Sequence, residues 1–401
     1  MLTSLSLIFL VGLAMGSICQ RLKLPRIIGM LITGIVLGPF ILNLLDPSLL
    51  SISADLRKMA LIIILLKAGL SLTLSDLKKV GRPAILLSFI PATFELVGYV
   101  LFAPLILGIT RIEAAIMGAV LSAVSPAVVV PRMVHLIENK YGTKKAIPQM
   151  IMAGSSCDDI FVIVLFTTFL SMAKGGNVQV IDFLNIPVSI ILGIILGAVV
   201  GYLLYLFFET TYAHKQCIRN SLKVIIILGF SFLLTTIETW AEGTVAISGL
   251  LAVVSMACVL KMKSPIFVSN RLSDKFGKLW LASEVILFVL VGVAVDIRYT
   301  LTAGLAAVLM ILIALFFRSC GVLFCTLKTT LTWQERIFCV IAYLPKATVQ
   351  AAIGSVPLAI GLACGKIVLS VAVMAILITA PIGAWGIDST YKKLLERDTS
   401  N

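Results

Sequence analysis

Charge is what this sequence has least of. Of its 401 residues, 13% are charged and 60% are hydrophobic, whereas an ordinary soluble domain has about 25% and about 45–50%. That deficit excludes a soluble enzyme and a disordered chain. Histidine is nearly missing: His135 and His214 are the two copies, too few for histidine-based catalysis or a di-histidine metal site. The eight cysteines, at 19, 157, 217, 258, 320, 325, 339 and 364, lie scattered in apolar stretches with no CxxC. They read as small buried hydrophobes, not as metal ligands or a disulfide scaffold. Long polar stretches are also missing. The longest loop and the tail after Trp385 are each about sixteen residues, so no soluble domain is expected beside the apolar blocks.

What the chain has in quantity is apolar sequence in blocks of about twenty residues, the length that crosses a hydrocarbon core, with a mean hydropathy of +1.12. The fold class expected is an all-α, multi-pass membrane protein. Charge and Gly/Pro punctuation delimit about thirteen candidate spans, at residues 2–19, 27–44, 58–74, 83–107, 112–138, 146–173, 183–208, 219–239, 244–260, 277–296, 299–326, 333–361 and 367–386. The first span carries its positive charge after the apolar run, at Arg21, Lys23 and Arg26. A signal peptide carries it before, so this is read as a retained first helix.

The formal charge of +13 would suggest nucleic acid in a soluble protein. Here it follows from the enrichment of Lys and Arg in cytoplasmic loops, and no nucleic-acid partner is expected. Odd-numbered loops and the tail hold 23 Lys and Arg, against 6 in the even-numbered loops. That asymmetry places the N-terminus outside and the C-terminus in the cytoplasm, with membrane lipid as the surrounding partner.

Three cations, Lys67, Arg318 and Lys346, fall inside spans, together with Glu95, Asp158, Asp159 and Glu284. A charged group at the bilayer centre costs about 2.5–3.5 kcal/mol or more and defaults to a functional candidate. Two spans also carry interruptions. One reads LSAVSPAVVVP, with Ser122, Ser125, Pro126 and Pro131; the other reads AYLPKATVQ, with Pro345 next to Lys346. Proline removes a backbone donor and breaks the helix. Two broken helices at comparable places in the two halves suggest inverted repeats with half-helix ends at mid-membrane. Glu95 and Arg318 each lie one span before a break. They could form an ion pair between the halves or serve separately.

The acid pair Asp158–Asp159 sits in the apolar run MAGSSCDDIFVIV. Two carboxylates so close titrate together. A cation such as Lys346 can neutralise one, leaving the other to bind a proton or a metal cation in competition. Alkali cations prefer oxygen ligands. Ser155 is one turn from Asp159 on the same face, and carbonyls freed over Ser122–Pro126, Ser125 among them, could complete a shell.

AVSPAVVVP, GSSCDDI and LPKATVQAAIG, in this order, resemble the NHA-type branch of the monovalent cation/proton antiporters over essentially the whole chain. The resemblance implies a sodium or lithium/proton antiporter, not an enzyme, working by an elevator-type alternating-access mechanism as a homodimer in the cell (plasma) membrane, with no cofactor. It makes Asp159 the principal sodium- or lithium-binding carboxylate, Asp158 its partner, Lys346 the cation of the second broken helix, and Glu95 with Arg318 a buried ion pair. It further implies core helices at 82–173 and 299–386, scaffold helices at 1–74 and 219–296, a linker helix at 183–208 and a short cytoplasmic tail at 387–401. Gly193, Gly197 and Gly201 form a small-residue face on the linker, suited to close packing. A potassium/proton antiporter and a sodium-coupled organic-anion symporter are the competing readings; selectivity and stoichiometry stay open.

Overall fold

The computed structural model describes residues 1–22, 24–71, 81–174, 180–213, 219–241 and 247–398. The loop cations Lys23, Lys78, Lys79 and Lys215, together with His214 and Cys217, lie outside the described residues. The helices in chain order are α1 (Leu2–Arg21), α2 (Arg26–Leu37), α3 (Pro47–Ser51), α4 (Ser53–Ser71), α5 (Arg82–Leu87) and α6 (Ile90–Leu107). The next six are α7 (Arg111–Leu121), α8 (Pro126–Glu138), α9 (Ile147–Lys174), α10 (Val180–Ala213), α11 (Asn220–Ala241) and α12 (Gly249–Lys263). The last six are α13 (Ile266–Val293), α14 (Ile297–Cys325), α15 (Trp333–Ala342), α16 (Thr348–Gly354), α17 (Val356–Ala359) and α18 (Gly365–Leu394). Strand pairing among the described residues amounts to one isolated bridge between Tyr141 and Arg397.

Nine helical stretches among the described residues are long and apolar enough to cross a membrane. The other expected spans are helical but depart from that standard in different ways. α2 has 12 residues and α12 has 15. α4 carries Asp55, Arg57, Lys58 and Lys67, and the stretch from Trp333 is split into α15, α16 and α17. One boundary moved substantially. The span expected at 277–296 belongs to a helix that begins at Ile266. Arg271, Lys275 and Lys278 sit on that helix because Leu272 and Phe276 between them are buried. Five cations in a row of loop and helix looked like loop alone.

The chain divides into two compact units. The first comprises Met1–Arg57, Thr73–Phe169 and Val285–Asn401. In it α1 packs on α2, α6 lies between α7 and α14, and α18 packs against α15 and α16. Arg57, near the start of α4, donates to the Leu290 carbonyl at 3.2 Å. The second unit comprises Lys58–Leu72 and Leu170–Glu284. Its α10 and α12 approach closely through the small-residue face. A Cβ at Gly193 or Gly201 would lie 2.7 Å from the Ser248 or Met256 carbonyl oxygen, which no side chain accommodates without moving the backbone. Lys67 in this unit lies 6.0 Å from the Trp280 ring centroid and within electrostatic reach of Glu284.

The two broken helices begin alike. Thr110 caps α7 and Thr332 caps α15, each in a reciprocal capping box with a glutamate three residues on, Glu113 and Glu335. The box satisfies two of the N–H groups that a helix start leaves without partners. α7 then runs 11 residues and α15 runs 10 before each breaks. The repeat legible in the prolines is thus present at the helix starts as well.

Candidate functional site: an acid pair at two crossed breaks

A helix break in an apolar interior frees carbonyls on one side and N–H groups on the other, and each must find a partner. In the first unit the two breaks satisfy one another. Ser122 and Tyr343 are the C-caps of α7 and α15. The Arg318 guanidinium, from α14, serves both: its Nε donates to the Tyr343 carbonyl at 2.6 Å, and its Nη1 donates to the Ser122 carbonyl. A cation there also meets the negative ends of two half-helices. On the other side of the breaks, the Ser125 N–H donates to the Pro345 carbonyl at 2.8 Å, and the Lys346 N–H donates to Thr379 Oγ1 at 3.0 Å.

The charged side chains assemble around this crossing. Arg318 Nη1 lies 2.8 Å from Glu95 Oε2, and Arg318 Nη2 lies 3.1 Å from Asp158 Oδ2. Lys346 Nζ lies 2.7 Å from that same Glu95 oxygen. The Val124 N–H donates to Asp158 Oδ2 at 2.8 Å. Glu95, Asp158, Arg318 and Lys346 are all buried. The acid neutralised by Lys346 is therefore Glu95 on α6, where Asp158 had been a candidate. Lys346 has its backbone tied to Thr379 on α18 and reaches Glu95, while the fork of Arg318 takes Asp158. A planar fork with several donors can hold two carboxylates at once, which an ammonium does less well.

Asp159 is different. It is 9% exposed where Asp158 is 0%. Its Oδ1 has no hydrogen-bond partner among the described residues. Further buried oxygens without a hydrogen-bond partner include Asp158 Oδ1, Glu95 Oε1, Tyr343 Oη, Ser122 Oγ, Ser125 Oγ and Thr348 Oγ1. Ser155 is fully buried and donates to the Met152 carbonyl at 3.1 Å, leaving its lone pairs available. Buried polar atoms are nearly always satisfied, and a group of exceptions calls for an explanation. A hard monovalent cation, which takes only oxygen ligands, is one. Among the described residues no group of three His, Cys, Asp or Glu side chains is placed to hold a metal, so any cation here relies on hydroxyls and carbonyls beside the carboxylate. Pro126 contributes as the first residue of α8, where its missing N–H costs nothing.

Sequence reasoning passed over Gln350, Thr379 and Tyr343. Gln350 Nε2 donates to the Ala123 and Leu121 carbonyls at 2.8 and 3.3 Å, and its Oε1 accepts from the Ala347 N–H at 2.8 Å. The signal was an amide in an otherwise apolar run, but a neutral group did not stand out beside charges. The Arg318 guanidinium also lies 5.5 Å from the centre of the Tyr343 ring.

A helical membrane protein with two crossed broken helices and buried carboxylates at the crossing has the architecture of an ion-coupled secondary transporter. The chain resembles the solved sodium proton antiporter MjNhaP1 from Methanocaldococcus jannaschii, with a TM-score of 0.82 over 98% of both chains at 21% identity. It is 33% identical over 395 residues to sodium/hydrogen exchanger 9B2 of Homo sapiens, covering 93% of this chain and 70% of that one. It is 32% identical over 420 residues to sodium/hydrogen exchanger 9B1 of Homo sapiens, covering 99% and 78%. The family model described as sodium/hydrogen exchanger, transmembrane, matches residues 5–392. The chain belongs to the sodium/hydrogen exchanger family, as an NHA-type cation/proton antiporter.

Proposed function

We propose that Asp159 is the carboxylate at which sodium or lithium and the proton compete, and that their alternation drives exchange. The observation that carries this reading is the contrast within the acid pair. One oxygen of Asp158 is held by Arg318 and by the Val124 N–H, whereas Asp159 has neither contact and its buried Oδ1 makes no hydrogen bond among the described residues. A carboxylate already engaged by a guanidinium is a poor carrier, and its neighbour is free to take the transported ion. Ser155, Ser125 and the backbone around Pro126 are the proposed supplementary oxygens. Lys346 and Arg318 compensate Glu95 and Asp158, keeping the second carboxylate anionic beside the ion.

In this reading the helices at 82–173 and 299–386 move as the core of an elevator, with those at 1–74 and 219–296 as the scaffold of a homodimer. Alternating access exposes Asp159 first to one side and then to the other. The loop charges support an N-terminus outside and a C-terminus in the cytoplasm, and the reading sets the chain in the plasma membrane. No cofactor takes part. An organic-anion symporter would need cations aimed at its substrate; here Arg318 and Lys346 are both engaged by carboxylates.

Competition predicts a specific kinetic pattern. A protonated Asp159 offers no charge to the cation, so sodium binds only after the proton leaves. Apparent KM for sodium should rise as pH falls, with little change in maximal rate at saturating sodium. The measurement is sodium-dependent proton flux in proteoliposomes across about pH 6 to 8.5, the span centred on neutral pH in which a working exchange carboxylate must change protonation. Lithium, potassium and an organic-anion control form parallel arms. An apparent KM that stays constant across that range would require separate proton and sodium sites. Potassium-driven flux exceeding sodium-driven flux would replace sodium as the substrate.

A further inference from the structure

The Ala123–Val124 peptide unit in the first break is gripped from both edges. Its N–H, on Val124, donates to Asp158 Oδ2 at 2.8 Å. Its C=O, on Ala123, accepts from Gln350 Nε2 at 2.8 Å. In a trans peptide the C=O and N–H point in opposite directions within one rigid plane. Holding the carbonyl toward Gln350 therefore aims the N–H at Asp158. Hydrogen bonds in series polarise one another, so the amide strengthens the grip on the carboxylate as well as orienting it.

The chemistry of the surroundings allows one arrangement of the amide. The Ala347 N–H can only donate and the Leu121 and Ala123 carbonyls can only accept. The amide oxygen must face Ala347 and the amide nitrogen must face the two carbonyls, as found. A flipped amide would set oxygen against two oxygens. Gln350 belongs to α16 of the second broken helix, is fully buried, and carries no charge. It joins the second break to the peptide plane of the first that holds Asp158.

We propose that Gln350 is a positioning residue for cation exchange: through the Ala123–Val124 peptide it fixes Asp158, and so the place and charge of the adjoining Asp159 site. This rests on the reading of Asp159 as the exchange carboxylate. The charged groups of the crossing are Glu95, Asp158, Asp159, Arg318 and Lys346. The hydrogen bonds of the Gln350 side chain go to the backbone of Ala347, Leu121 and Ala123 and not to any of these side chains. Its influence on the site runs through backbone.

The test compares wild type, Gln350→Met and Gln350→Glu in proteoliposomes. Methionine keeps the length and removes every hydrogen bond. Glutamate keeps the acceptor for Ala347 but presents a donor to Ala123 only when protonated. For Gln350→Met we expect an apparent KM for sodium raised at least fivefold, with maximal rate within about twofold of wild type, as when an interaction made equally in ground and transition states is removed. For Gln350→Glu we expect flux, normalised to wild type at each pH, to recover as pH falls, while Gln350→Met does not. An unchanged KM in Gln350→Met overturns the proposal, whether or not maximal rate and melting temperature drop. If Gln350→Met does not insert, Gln350→Glu decides: a normalised flux independent of pH overturns the proposal. Absence of sodium-dependent flux in wild type would instead overturn the exchange reading itself.

Discussion

Asp159→Asn should abolish sodium-dependent proton flux and leave the protein folded in the membrane. Asparagine has nearly the shape of aspartate but neither titrates nor offers a full negative charge. The cation loses its counter-charge and the proton loses its carrier in one substitution. Few substitutions of a buried charged residue should be so mild for the fold. Asp159 Oδ1 makes no hydrogen bond among the described residues, so replacing the carboxylate by an amide strands no partner. It also removes a like charge next to Asp158. The melting temperature of purified Asp159→Asn should therefore equal or exceed that of wild type, while flux falls to the level of empty liposomes. Wild-type-like flux in this variant would remove Asp159 from its role.

The opposite pattern is expected at Glu95 and Arg318, where stability should suffer most. Removing one partner of a buried ion pair leaves an uncompensated charge and costs about 3–5 kcal/mol. Arg318→Met would leave Glu95, Asp158 and two C-cap carbonyls short of a donor. Glu95→Gln would leave Lys346 without its carboxylate and Arg318 with Asp158 alone, because Arg318 and Lys346 share Glu95 Oε2. Each variant should unfold well below wild type in thermal melts, and Lys346→Met added to Glu95→Gln should recover part of the loss. Contacting groups couple by about 0.5–3 kcal/mol in double-mutant cycles. Strict additivity across the Glu95, Arg318 and Lys346 cycles would mean that these side chains do not depend on one another.

Much of this was legible because lipid makes polar residues conspicuous. Arg318, Glu95, Lys346, Asp158 and Asp159 stand out against apolar helices, and Pro126 and Pro345 mark the breaks. Which charge meets which was not legible. The sequence sets Lys346 against the acid pair and Glu95 against Arg318 alone, since sequence distance says nothing about which way a side chain runs once its helix is broken. Neutral groups were missed for a related reason. Gln350 and Thr379 matter through backbone groups that exist only because the helices break, and no pattern of side chains announces those. Local kinks were hidden as well. The span expected as continuous at 83–107 divides at Ser88–Phe89 into α5 and α6, where Pro91 occupies the first turn of the second helix and cannot continue the ladder from the first.

The sharing of Glu95 by two cations has a consequence for bioenergetics. With Asp158 engaged by one of the same cations, the four fixed charges at the crossing, Glu95, Asp158, Arg318 and Lys346, cancel. Asp159 alone of the five is left to be neutralised by its cargo. On the proposed reading, a core loaded with one sodium ion and a core loaded with one proton are then equally neutral. Voltage acts on a moving charge with about 2.3 kcal/mol per 100 mV, and here it finds no net charge to act on. Exchange should proceed one ion for one proton, at a rate unchanged when a potassium–valinomycin clamp sets the liposome interior negative. Such a transporter can neither spend nor build membrane potential, and the direction of sodium movement is set by the pH and sodium gradients alone.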